Sequence, residues 1–191
     1  MAGETTNKVL FGLSNVHVAK QTGTGTYDTP VAMPGAVNMT IDAEGDQEVF
    51  YADNMAYYTA NSNAGYTGEL EIADIPNDVL AWMLGWTVDK NGALVEVADG
   101  VPIPFALMFD VQGDAKARST VYYNVTANRP SDEWSTTEDT TTVTTKKLPF
   151  TATPAKIGGK NVVRSVIEST EENKAIYDTF YTKVYTPDAT E

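Results

Sequence analysis

The sequence has no cysteine, which excludes disulfide staples and every thiolate metal site, so the fold must be held by its own core or by neighbouring molecules. Histidine is almost as scarce. The single one, His17, lies between Val16 and Val18 in an alternating apolar run, where a packed or edge-strand residue is expected rather than a general base. No window has the apolar length of a membrane span. The opening Met1-Ala2-Gly3-Glu4-Thr5-Thr6-Asn7-Lys8 lacks the basic region and apolar core of a secretory signal, so synthesis and folding in the cytoplasm are expected. There is no Gly-x-Ser-x-Gly elbow and no phosphate loop, and no catalytic residue or cofactor is expected. A hydrolase reading survives only for Glu69 and Glu71, a carboxylate pair on one strand face, and alternating acids on a half-buried strand usually form its solvated side.

Bases are few. Thirteen Lys and Arg against 26 Asp and Glu give a formal net charge of −13, which argues against a surface that grips nucleic acid by its phosphates. The same excess suits a surface past which DNA must slide, and it equally serves plain solubility. Asp42, Glu44, Asp46 and Glu48 alternate along the chain, but they lack the acceptor pattern and downstream Glu of an EF-hand, and no metal site is expected.

What is present is a period of two. Val37, Met39 and Ile41 face one side; Tyr66, Gly68, Leu70 and Ile72 oppose Thr67, Glu69 and Glu71; Ile103, Phe105, Leu107, Phe109 and Val111 form the strongest apolar face; Val121, Tyr123 and Val125 repeat it after a turn at Gln112-Gly113-Asp114. Pro102 and Pro104 place that strand at an edge or delay its regular pairing until after Pro104. Asp89-Lys90-Asn91-Gly92 reads as a hairpin turn with Asn91-Gly92 at positive φ. Later strands are expected over Val143 to Thr153 and Asn161 to Glu168, with a Gly158-Gly159 turn. Two segments break the period. Asp74 as N-cap, Pro76 in the first turn, Ile75, Val79, Trp82 and Met83 on one face and a stop at Gly85 predict a short helix. Ser169 and Glu172 in capping-box spacing, with Ile176, Phe180 and Val184 at four-residue steps, suggest a second helix, although Tyr177, Phe180, Tyr181 and Tyr185 would suit a strand equally.

The expected fold is therefore mainly β: an antiparallel β-sandwich or half-open barrel with one flanking short α-helix and a long projecting hairpin loop. The expected organisation is a single domain over 1–191, with the loop 43–65 projecting and a C-terminal arm over 169–191. The loop carries Phe50, Tyr51, Asp53, Asn54, Met55, Tyr57 and Tyr58. Exposed aromatics beside Met and Asn are the vocabulary of interfaces, though the same aromatics could pack on the domain's own core. Ser135 to Thr142 reads as a solvated surface loop entered at Arg129-Pro130.

Gly12-Leu13 with Val16 to Ala19, the Phe50 to Asn54 loop, Tyr66 to Gly85 and Pro104-Phe105-Ala106-Leu107 occur in an order that resembles the major tail proteins of long-tailed, siphovirus-type bacteriophages. The resemblance implies a structural virion protein that self-associates as stacked, hexameric rings forming the tail tube. It further implies that the long loop bridges successive rings, that tape-measure and tail-terminator proteins are partners, and that DNA passes through without specific binding. Assembly would occur in the host cytoplasm. Glu69 and Glu71 are the first candidates for carboxylates facing the lumen. An alternative is a carbohydrate- or surface-binding β-sandwich module of a virion or bacterial surface, using Trp82, Trp86 or Trp134 as stacking platforms; Trp82 on a helix face argues for core and against it.

Overall fold

The computed structural model describes residues 9–114, 116–132, 134, 136 and 144–187. Along the chain run β1 (Leu13–Gly23), β2 (Thr26–Tyr27), β3 (Val31–Ala32), β4 (Ala36–Glu44), β5 (Gln47–Ala52), β6 (Met55–Asn61) and β7 (Gly65–Ile72). There follow α1 (Asn77–Leu84), β8 (Thr87–Val88), β9 (Leu94–Val95), β10 (Phe105–Val111), β11 (Arg118–Ala127) and β12 (Lys146–Ala152). The chain continues with β13 (Ala155–Ile157), β14 (Lys160–Val162), β15 (Arg164–Glu168) and α2 (Lys174–Asp178).

One antiparallel sheet dominates, in the order β2-β1-β10-β11-β12-β7-β4, with β3 added to β1 and β15 added to β11. Among the described residues no ladder joins β4 back to β1, so the sheet does not close into a barrel. Expected strands are found where alternation was cleanest. Leu70 and Ile72 of β7 are buried in the main core, with Tyr66 packed against it. β10 begins at Phe105, immediately after Pro104, as the missing proline donors require. Gly158 and Gly159, both at positive φ, turn β13 into β14.

Two phase errors have one physical cause, the β-bulge. Val37 was expected to share an inward face with Met39 and Ile41, but the β4–β7 register shifts between Ala36 and Asn38. Ala36 takes the inward place and Val37 is exposed. In β11 the expected face of Val121, Tyr123 and Val125 is split. Asn124 sits at φ 46, the β10 ladder slips between Phe105 and Leu107, and Val125 emerges on the opposite side from Tyr123. Asparagine tolerates the left-handed region better than most residues. Its amide also donates to Thr153 Oγ1 at 2.7 Å, fixing the kink.

This bulge is a branch point. Before it, β11 pairs with β15 from Arg118 to Tyr122; after it, β11 pairs with β12 from Val125 to Ala127. Two apolar layers result. The larger gathers Val18, Leu70, Ile72, Phe105, Leu107 and Leu148 beneath α1, whose Val79, Leu80 and Met83 close it. The smaller lies on the other side of β10 and β11, where Ala106, Met108, Val121 and Tyr123 are covered by Phe180 and Val184 of the C-terminal segment. β10 is thus buried on both faces, which its near-continuous apolar run reflects.

Both helices differ from expectation at their ends. Pro76, not Asp74, occupies the N-cap of α1 and no side chain caps it; Asp74 instead forms an ion pair with Lys146 at 2.8 Å. The expected stop is found, with Gly85 left-handed at φ 70. The second helix shrinks to five residues, with Asn173 rather than Ser169 at its N-cap. Asn173 accepts from the Thr170 amide and donates to the Glu168 carbonyl, turning the chain off β15. Phe180 and Val184 reach the core from the turns that follow, while Ile176 is exposed. In the β8–β9 hairpin only Gly92 has positive φ; the Asp89 carboxylate accepts from the Asn91 and Ala93 amides and does the work assigned to Asn91. The Ser135 to Thr142 loop lies, except for Thr136, outside the described residues.

Candidate assembly surface

The expected loop over 43–65 is for most of its length a regular ladder. β4 and β7 pair as far as Glu44 and Gly65, and β5 and β6 then pair from Gln47–Asn61 to Ala52–Met55. The turn between them is Asp53-Asn54, at φ 51 and φ 62. Positive φ at both central residues is the type I′ geometry whose twist matches a two-residue hairpin, and Asp and Asn are the non-glycine residues that best tolerate it. Asp53 and Asn54 therefore shape the tip.

At the joint between ladder and body, Ser62 donates its amide to the Asp46 carbonyl and accepts the Asp46 amide on Oγ, while Ala64 donates to Glu44. Side chains have no room there. A Cβ on Gly45 would lie 2.2 Å from the Ser62 carbonyl oxygen, and one on Gly65, at φ 121, would lie 2.0 Å from that of Ala152. The two glycines let three backbone stretches converge where the arm leaves the sheet.

Beyond that joint no second layer covers the arm among the described residues. Phe50 and Tyr58 are directly opposite one another, and Ala52–Met55 places Met55 on the same face. A register slip between Phe50 and Tyr51 leaves Tyr57 as the extra residue of a bulge, with Tyr51 opposite Ala56 on the other face. Phe50, Tyr51, Met55, Tyr57 and Tyr58 are all at least 61% exposed, Tyr57 reaching 75%. Packing of these aromatics on the domain's own core, left open by the sequence, does not occur. Contiguous exposed apolar surface of this kind makes the arm a candidate interaction site.

Glu69 and Glu71 lie on the outward face of the β12–β7–β4 part of the sheet, opposite Leu70 and Ile72. Their cross-strand partners are Thr40 and Asn38 on β4 and Pro149 and Lys147 on β12. Asp42 and Glu44 share that face, so it carries four carboxylates and one lysine on these three strands. Glu71 accepts a hydrogen bond from Thr145 Oγ1 at 2.6 Å, and Glu44 accepts one from Thr67 Oγ1 at 2.8 Å; Glu69 has no side-chain partner among the described residues. No group of three or more His, Cys, Asp or Glu able to hold a metal occurs among the described residues.

His17 is where packing was expected. Its ring lies 4.5 Å from that of Tyr181, and Nδ1 is 2.8 Å from the Asn15 carbonyl oxygen. Sequence reasoning missed the polar cluster around it. Asn15, at φ 53, donates to Asp110 Oδ2, and the buried Tyr181 hydroxyl faces Asp110 and Ser119. Burial, and next to it the Asp110 carboxylate, push the Tyr181 phenol well above the ordinary tyrosine range. Tyr123 Oη donates to the Tyr185 carbonyl at 2.7 Å, so the cluster ties the C-terminal segment to the sheet. The only prior signal was the spacing of tyrosines between Tyr177 and Tyr185.

Neither a protein-family model nor a curated protein matches the chain. Among solved structures, it is similar to the tube-terminating cap of the anti-feeding prophage, with 10% identity over 88% of this chain and 100% of that one and a TM-score of 0.50. It is also similar to a chain of the sheath–tube complex of an extracellular contractile injection system in its extended state, with 7% identity over 87% and 99% of the two chains and a TM-score of 0.49. The first of these likenesses shows a shared fold.

Proposed function

We propose that the chain is a structural subunit of a phage tail or tail-like particle, a tube protein that self-associates into hexameric rings stacked head to tail around a channel for DNA. The observation that carries this reading is the β5–β6 arm: a ladder whose aromatic side chains find no core in their own subunit. The fold shared with a tube-terminating cap supports it. So does the order of motifs that resembles siphovirus major tail proteins.

In this reading Phe50, Tyr58 and Met55 are the anchors between rings, Tyr51 and Tyr57 extend the contact, and Asp53-Asn54 set the tip. Because one ring's arms meet a different surface of the next, the contact is heterologous, and heterologous contacts build open tubes. The acidic face of β4 and β7 supplies the channel wall. Asp42, Glu44, Glu69 and Glu71 repel phosphate and give it few bases to hold. The subunit acts as one tail-tube domain in the virion tail, assembled in the host cytoplasm, with a tape-measure and a terminator protein as partners. It needs no cofactor and performs no catalysis.

The test is electron microscopy of the purified protein before and after concentration. Rings or tubes with a central channel are expected; a subunit that stays monomeric at every concentration overturns the reading.

A further inference from the structure

Of the three tryptophans, two are held by the core. Trp82 meets Phe105 edge to face, with ring centroids 5.8 Å apart, and Trp86 packs against the larger apolar layer. Trp134 is different, being 82% exposed. It borders a shallow cavity of about 230 Å³ between the end of β7 and the start of β12, whose other polar walls among the described residues are Asp74, Asp132, Thr144, Thr145 and Lys146. We propose that this cavity is a binding subsite for a neutral pyranose ring, stacked on the Trp134 indole and hydrogen-bonded by Asp132.

The chemistry of the walls selects that ligand. A bare indole offers a flat apolar face, and a pyranose offers a face of C–H groups ringed by hydroxyls, so one surface buries the ring while its rim needs polar partners. The Asp132 carboxylate has no hydrogen-bond or ion-pair partner among the described residues, so it can accept from two neighbouring hydroxyls of the sugar. Lys146 and the Thr144 hydroxyl supply donors. A cationic ligand would also suit an indole beside carboxylates, but Lys146 already pairs with Asp74 at 2.8 Å and places a like charge in the cavity. The volume admits a single ring, so binding is expected in roughly the millimolar range, as for a small ligand with few contacts. The site lies at the end of β7 opposite the β5–β6 arm.

The experiment follows the three indole N–H signals by NMR in the full chain, assigned with Trp134→Phe, while methyl glycosides of neutral hexoses and a short neutral oligosaccharide are added. The Trp134 signal is expected to shift saturably with Trp82 and Trp86 unmoved. Trp134→Ala should abolish saturation transfer to the sugar, and Asp132→Asn should weaken binding roughly tenfold, the order expected for a hydrogen bond to a charged acceptor. Tighter binding of the oligosaccharide assigns the site to a glycan chain, and equal binding assigns it to a terminal ring. No saturable shift with any sugar overturns the proposal. So does an equal transfer signal in Trp134→Ala, or a saturable shift with lysine methyl ester alone.

Discussion

The arm and the body are written in the same alternating pattern and come to opposite ends. β10 places Phe105, Leu107 and Phe109 on one side and Ala106 and Met108 on the other, and all are buried, because α1 covers one face and the C-terminal segment the other. β5 and β6 carry four aromatics against two in β10, and those four are exposed. The difference lies in the number of layers. A two-stranded ribbon cannot bury either face by itself and is marginally stable in isolation, so its apolar side chains stay exposed in the subunit.

The largest expected effect breaks the body. Leu107→Ala removes a fully buried side chain and should cost about 2–5 kcal/mol in chemical denaturation, whereas Phe50→Ser should change stability by no more than about 0.5 kcal/mol. A destabilisation by Phe50→Ser as large as that of Leu107→Ala would erase the contrast.

Amide exchange sharpens it next. Ladder hydrogen bonds of β10 and β11 should exchange only on global opening, and those of β5 and β6 many times faster in the free subunit, with protection rising on assembly. Equal protection in free and assembled protein would remove any role for the arm at a contact.

The proposed channel wall offers a third comparison. Glu69→Lys with Glu71→Lys should leave folding intact and create DNA retention that falls steeply with salt, because each added base contributes a phosphate contact. Variants that assemble and release DNA place these residues away from the lumen; variants that fold and fail to assemble place them at a subunit contact.

The smallest effect is electrostatic. The Lys146 ammonium, chiefly by its hydrogen bond, holds the Asp74 carboxyl below the usual carboxylate range. A depressed folded-state pKa stabilises above the unfolded value and loses that contribution as pH falls through the folded one. Lys146→Met should therefore raise the Asp74 titration in carboxyl NMR and slightly narrow the stability difference between neutral and acid pH. An unmoved Asp74 titration would deny the pair.

Much of this fold was legible in the sequence because alternation and capping report burial directly. Leu70 and Ile72, the start of β10 after Pro104 and the Gly85 stop are each local consequences of a residue's shape. What was hidden was non-local. Val37 and Val125 lie on unexpected faces because bulges at Ala36–Asn38 and Asn124 change the phase, and nothing in alternation marks where an extra residue will be inserted. The arm was legible as a projecting hairpin with interface composition. Its regular ladder, and the exclusion of its aromatics from the core, depend on which layers exist. The Asn15, Asp110 and Tyr181 cluster joins residues far apart in the chain and left no local trace.

The central claim, that the arm assembles the protein and does not fold it, is tested most directly by replacing residues 45–64 with an Asn-Gly turn and measuring mass and circular dichroism beside the intact chain. The account predicts an unchanged β spectrum and thermal midpoint, with rings and tubes replaced by monomers. Loss of the folded spectrum, or assembly that proceeds without the arm, would contradict it.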